Sequence, residues 1–463
     1  MVKIRLDATN PNDYARFLEC KKLPSYSVVG NEVRTTQEAY DWLFNKSKKS
    51  PIQVSSKSLF DYQALIDNVA LKRKAYAPFL DCGLGKTAII LHWAQALADM
   101  GKVIILCPLQ VMGEFYNDAK KFGIQSPITN LRDTGGKWES GIGILNYEYE
   151  RHIDLSGVIG IALDESSILK NGEGSTKKWL CDLASNIEYR LACSATPAPN
   201  DHSEYASHAV FLGICKTNKE FYSRFFRKDG NDWILKAHAI APFYEYLSSF
   251  ACYIQNPTLL GFECGGYLDE DPEIIETTLP GGEHLNGTAL FSTSAGLSES
   301  MPIFRYRQEI GTPRFDFVVE KAKEYHSIVW CKRNEEETNF AKHIPNSALI
   351  TGKTPIEKRV EILEKWRNKE IGCIVSKPEI LGWGVNMQQA EAHIYSGYCH
   401  SFEKFYQAVR RSHRYGRVGR LKVFVPKIMA EEPIFDVLKA KIKTFRSDVE
   451  HLQDAFKNSF KDE

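Results

Sequence analysis

Phe79-Leu80-Asp81-Cys82-Gly83-Leu84-Gly85-Lys86-Thr87 is the stretch that decides the fold of this chain. An apolar pair leads in, glycines turn the backbone, and the helical pattern 88–97 follows. Glycines let backbone N–H groups face phosphate oxygens, and a helix N-terminus adds positive potential at the same place. Lys86 would reach the β- and γ-phosphates of a bound triphosphate, and the Thr87 hydroxyl would ligate Mg2+. The pattern G-x-x-x-x-G-K-[ST] is incomplete, because Leu80 stands at its first glycine. Gly83, Gly85, Lys86 and Thr87 are the candidate nucleotide-binding residues.

Outward from this loop the strand–loop–helix alternation repeats. Val103-Ile104-Ile105-Leu106-Cys107 and the runs 141–145 and 158–163 are short, apolar and bounded by turn residues. Each reads as a buried parallel strand, and parallel strands with crossover helices imply a three-layer α/β domain. The run 158–163 delivers Asp164-Glu165 to its C-terminal edge, where ligands of open α/β sheets gather. Asp164 suits the Mg2+ shell and Glu165 suits positioning or deprotonating an attacking water. A solvated turn is the ordinary account of such a pair. Its place downstream of a phosphate loop favours chemistry.

A second set of runs begins at Ser327-Ile328-Val329-Trp330-Cys331 and continues at 347–350, 373–376, 393–396 and 422–426. The expected organisation is therefore α/β with two tandem parallel-sheet domains, 51–213 and 316–430. A helical and loop insert, 214–315, separates them, with a small N-terminal appendage at 1–50 and a helical tail at 431–463. Gly352-Lys353-Thr354 lacks upstream glycines and reads as structural. Thr354-Pro355-Ile356-Glu357 is expected to open a helix as a capping box, with Ile356, Val360, Leu363 and Trp366 along one face.

Composition sets looser bounds. The 463 residues carry a formal net charge of +1, with 43% hydrophobic and 25% charged residues. These are ordinary values for a globular chain of two or three domains. Eleven cysteines without a C-x-x-C spacing argue against a zinc ribbon and for a reducing compartment. The first ten residues lack an apolar signal core and no run reaches membrane-spanning length, so a cytoplasmic location is expected. Lys72-Arg73-Lys74, the lysines Lys46, Lys48 and Lys49, and Glu19-Cys20-Lys21 read as solvated charge.

Several further motifs, in order, carry a resemblance. Cys193-Ser194-Ala195-Thr196-Pro197 resembles the third helicase motif, and the segment Gln407-Ala408-Val409-Arg410-Arg411-Ser412-His413-Arg414-Tyr415-Gly416-Arg417 resembles the sixth. Ile105-Leu106-Cys107-Pro108 with Phe115 resembles motif Ia, and Gly382-Trp383-Gly384-Val385-Asn386-Met387-Gln388 resembles the fifth. Phe60-Asp61-Tyr62-Gln63 resembles the glutamine motif. Over roughly residues 58–430 the chain is thus similar to superfamily-two helicase-like ATPases of the chromatin-remodeller-like (Swi/Snf) branch, and most similar to compact phage-encoded members.

The resemblance implies two RecA-like domains using ATP and Mg2+, with Gln63 reading adenine. It implies that Arg411 and Arg414, four and seven residues after Gln407, are arginine fingers reaching across to the phosphates. It implies duplex or branched DNA as the track, a role in phage replication, recombination or repair in a bacterial host, and a replication, recombination or nuclease partner protein. Leu80, Ser166-Ser167 and Arg417 depart from the family pattern, and the last two leave RNA or mixed substrates open. An RNA helicase, the motor subunit of a nuclease or restriction assembly, and a nucleotide switch without a track are the competing expectations.

Overall fold

The computed structural model describes residues 2–6, 13, 16–17, 20–21, 23, 25–37, 39–40, 58–149, 153–170, 174–230, 232–262, 271–280, 303–381, 386–397, 401–414, 416–427 and 432–461. Lys46, Lys48, Lys49, Glu19, most of the glycine- and serine-rich stretch at 279–300, Gly382, Trp383, Gly384, Val385 and Tyr415 lie outside the described residues. The chain divides into two compact units, Met1–Glu263 with Phe445–Glu463, and Cys264–Thr444.

The first unit opens with a small antiparallel sheet of β1 (Val2–Arg5), β2 (Tyr26–Val29) and β3 (Glu32–Thr35), ordered β1-β3-β2. Ile4, Cys20, Leu23, Val33 and Ala39 form its own small core. The main sheet draws on β4 (Ala75–Leu80), β5 (Lys102–Cys107), β6 (Ile128–Asn130), β7 (Ile142–Asn146), β8 (Val158–Asp164) and β9 (Tyr189–Cys193). A hairpin of β10 (Phe226–Asp229) and β11 (Asp232–Leu235) stands apart, and β12 (Ala251–Ile254) returns to the main sheet. The strand order is β12-β4-β9-β8-β5-β7-β6, with every pairing parallel. Every residue of β5 and β7 is buried. That matches their unbroken apolar sequence, because a parallel sheet covered on both faces has no polar side.

The second unit is a six-stranded parallel sheet of β13 (Glu273–Thr278), β14 (Ser327–Trp330), β15 (Ser347–Leu349), β16 (Cys373–Ser376), β17 (Ala392–Tyr395) and β18 (Lys422–Lys427). Its order is β13-β18-β17-β14-β16-β15. Val318, Val329, Phe340, Val375, Ile394 and Phe424 lie in its core. The two tandem parallel sheets expected from the sequence are therefore present.

Their boundaries differ from expectation. The described parts of 214–315 are divided between the two units. β12 pairs with β4 and completes the first sheet, while β13 pairs with β18 and completes the second. Both strands sit at sheet edges, and neither gives the long apolar signature of a central strand: β12 is a buried apolar run of only four residues, and β13 alternates half-buried and exposed positions. The tail is likewise shared. The helix Glu432–Lys461 sends Lys439 to Glu276 within the second unit. Within the first unit its Phe445, Val449, Leu452 and Phe456 are buried. There His202 Nε2 and the Tyr244 hydroxyl donate to Asp448 at 2.7 and 2.6 Å. Among the described residues no helix is long and apolar enough to cross a membrane.

The helix expected after Gly352 is present as Ile356–Arg367, but Thr354 does not cap it. The N-cap is Pro355, and the Thr354 hydroxyl instead accepts from the Thr351 N–H at 3.0 Å. Leu363 and Trp366 are buried, whereas Val360 is 49% exposed. The apolar face is narrower than the sequence implied.

Two fully buried histidines make stability sensitive to pH. His208 and His393 both have pKa values lowered by burial to about 3. Each is neutral when folded and titrates near 6.5 when unfolded. The unfolded chain therefore takes up the extra protons, and stability falls as pH drops below 6.5. The loss is about 1.4 kcal/mol per pH unit for each histidine, so about 2 kcal/mol each at pH 5. Thermal or denaturant unfolding across pH 7.5 to 5 should show this decline, and a smaller one in His208→Gln. Identical pH profiles for the parent and His208→Gln would refute it.

Candidate nucleotide site and arginine segment

β4 runs into the phosphate loop and the helix Lys86–Ala98 leaves it. Gly85 is the N-cap and lies in the left-handed region at φ +78°. A Cβ there would stand 2.2 Å from Gln63 Nε2, so a side chain at 85 would strain the backbone and displace the Gln63 amide. Leu80, the departure from the glycine pattern, is still strand. Its N–H donates to the Ser194 carbonyl at 3.0 Å, and the turn begins only beyond it. Its own carbonyl accepts from Lys86 Nζ at 3.1 Å. Burial opposes the charge on Lys86, but Cys82, Glu165, Asp164 and Asp81 outweigh it and hold the pKa above the ordinary lysine value.

Gln63 is buried beside this loop on the helix Asp61–Arg73. Its Nε2 donates to the Leu84 carbonyl at 2.9 Å, and its Oε1 accepts from the Phe60 N–H at 2.9 Å. The Tyr62 hydroxyl donates to the same Leu84 carbonyl at 2.9 Å. The glutamine segment thus ties one helix to the phosphate loop.

β8 places Asp164 and Glu165 beyond the same sheet edge, two strands from β4 with β9 between. Both side chains are buried, and Glu165 Oε2 has no hydrogen-bond partner among the described residues. Glu165 adopts φ +56°, a conformation that costs a non-glycine residue on the order of 1 kcal/mol or more. β9, in register Asp164↔Cys193, then leads into Ser194-Ala195-Thr196. The Ser194 side chain accepts from the Thr196 N–H at 3.0 Å, and the Tyr253 hydroxyl donates to the Ala195 carbonyl at 3.0 Å. Lys86, Thr87, Asp164, Glu165 and the third motif are thereby gathered along one edge, with Gln63 behind the loop.

Some residues here carry no sequence signal. Tyr147 donates to the Asp164 carbonyl at 2.6 Å, and Ser166 Oγ is hydrogen-bonded to His208 Nε2 at 3.1 Å. Their partners lie 17 and 42 residues away, with no motif linking them.

In the second unit Ser401 caps the helix Phe402–Arg410, which ends at the arginine segment. Arg411 is buried and its carbonyl accepts from the Met387 N–H at 3.0 Å, joining the fifth motif to the sixth. Arg414, in the same segment, is partly exposed. Behind them Trp330 Nε1 donates to His393 Nδ1 at 3.1 Å. Indole nitrogen is only a donor, so neutral His393 carries its proton on Nε2 and donates it to Ser412 Oγ at 2.8 Å. Arg417 donates to the carbonyls of Gln388, Ala390 and Gly419 at 2.8, 2.6 and 2.8 Å. This departure from the family pattern is a backbone clamp. Arg73 is engaged with the carbonyls of Ser248 and Ser249, and Lys74 pairs with Glu188. The Lys72-Arg73-Lys74 run is accordingly structural in part.

Residues 314–416 match the helicase conserved C-terminal domain. No curated protein matches the chain. Among solved structures, the Sulfolobus solfataricus SWI2/SNF2 ATPase core in complex with dsDNA is similar at 16% identity. The alignment covers 88% of this chain and 96% of that one, with a TM-score of 0.40.

Proposed function

We propose that this chain is an ATP-hydrolysing nucleic-acid motor of superfamily two that moves along duplex or branched DNA. The observation that carries the reading is electrostatic. A half-buried phosphate-loop lysine keeps its charge because Cys82, the Glu165 and Asp164 pair and Asp81 together outweigh the cost of burial. The match of the second unit to a helicase C-terminal domain supports the nucleic-acid track.

In this reading Lys86 binds the β- and γ-phosphates, the loop glycines Gly83 and Gly85 present backbone N–H groups, and Gln63 contacts adenine. Thr87 and Asp164 offer the hard oxygen donors that Mg2+ takes alongside phosphates and water. Bound there, Mg2+ neutralises charge developing on the phosphates. Glu165 orients or deprotonates the attacking water, and Arg411 and Arg414 stabilise the transferring phosphoryl group. Duplex or branched DNA is favoured by the remodeller-like run of motifs Ia, III and V. Phage replication, recombination or repair, with a partner protein, is the setting this resemblance favours.

The test is the ATPase rate without nucleic acid and with single strands, duplex, forks and RNA. Duplex or forked DNA is expected to stimulate most. Binding should be indifferent to base sequence and weaken steeply with salt, because phosphate contacts dominate. Stimulation by RNA alone would reject DNA as the track. Displacement of a triplex-forming strand would report translocation, while opening of a plain tailed duplex would make the chain a strand-separating helicase.

A further inference from the structure

The turn that carries Glu165 is held by a side chain from beyond the neighbouring strand. β8 ends at Asp164, and Glu165 turns away at φ +56°. The Asp164 carbonyl accepts its 2.6 Å hydrogen bond from Tyr147, the residue just beyond β7. β7 is not a neighbour of β8, since β5 lies between them. The phenol therefore reaches past the end of one strand to hold the peptide linking Asp164 to Glu165. Tyr147 is buried, and burial first, then Asp164, push its pKa well above the usual tyrosine range. Its hydroxyl is the donor, because a carbonyl oxygen only accepts. On the far side of Glu165, Ser166 is held by His208.

We propose that Tyr147 is a positioning residue for hydrolysis, holding the strained Asp164–Glu165 peptide so that the Glu165 carboxylate faces the attacking water. The proposal rests on the reading of Glu165 given above. Tyr147 touches neither nucleotide nor water in this role. Without the hydroxyl this hydrogen bond is lost, and Glu165 can relax toward an ordinary backbone conformation. The carboxylate then moves while the phosphate loop does not.

Tyr147→Phe keeps the ring and removes only the hydroxyl. It is expected to lower kcat about 10- to 100-fold, as a misplacement near 1 Å does. KM for ATP and the affinity for a fluorescent ATP analogue should stay near parental. Rates are normalised to the fraction that binds nucleotide, so partial misfolding cannot mimic the effect. In a Glu165→Gln background the same change should have no further effect on the residual rate, because Tyr147 acts only through that carboxylate. Parental kcat in Tyr147→Phe, with Glu165→Gln inactive, would overturn the proposal alone. So would an equal fold-loss in both backgrounds. Parental turnover in Glu165→Gln would overturn the assignment of Glu165 itself, and this proposal with it.

Discussion

Glu165→Gln is expected to leave ATP binding intact and slow hydrolysis about 100- to 10,000-fold, the contribution typical of a general base. The substitution keeps side-chain volume, so the buried turn beyond β8 has no reason to repack. What is lost is the carboxylate that would orient or deprotonate water. Lys86→Ala should differ in kind, because the phosphates lose their point charge and nucleotide binding weakens along with turnover. Titration with a fluorescent ATP analogue, alongside steady-state ATPase with duplex DNA, separates the two. Parental hydrolysis by Glu165→Gln would show that another group activates the water.

Arg411→Ala and Arg414→Ala should each reduce turnover on the order of a thousandfold while sparing nucleotide binding. Arg411 holds the fifth motif through its backbone carbonyl, and Arg417 clamps that same region through its guanidinium. Truncating the Arg411 side chain leaves both links standing, and normalising rates to the fraction that binds nucleotide separates lost activity from lost fold. Single-turnover hydrolysis with pre-bound ATP is the direct measurement. Normal rates in both variants would remove the arginines from the mechanism and leave hydrolysis to the first unit alone.

How far these assignments could be reached from sequence depended on the kind of signal. Central strands such as β5 and β7 were legible because burial on both faces demands an unbroken apolar run. The edge strands β12 and β13 were not, since β12 is only four residues long and β13 mixes polar with apolar residues, and a reading of periodicity merged both into one insert. The glycine turn between β4 and the helix Lys86–Ala98, and the placement of the acidic pair at the end of β8, were legible because the proposed phosphate chemistry restricts residue type and spacing together. Tyr147, His208 and His393 were not, because each meets its partner through the folded topology. Leu80 shows the opposite case. It looked like a defect in the glycine pattern and is simply the last residue of β4, before the turn that needs glycine.

The shared closing helix has a consequence for how the molecule is made. Phe445, Val449, Leu452 and Phe456 belong to the first unit's interior, yet they are translated after all of residues 264–444. At about 5–20 residues per second, the nascent first unit waits on the order of ten to forty seconds for them. During that interval the pocket that will receive them, including His202 and Tyr244, faces water without its Asp448 partner. The second unit can therefore acquire its native sheet while the earlier one is still incomplete, and chaperone demand should fall on the end that leaves the ribosome first.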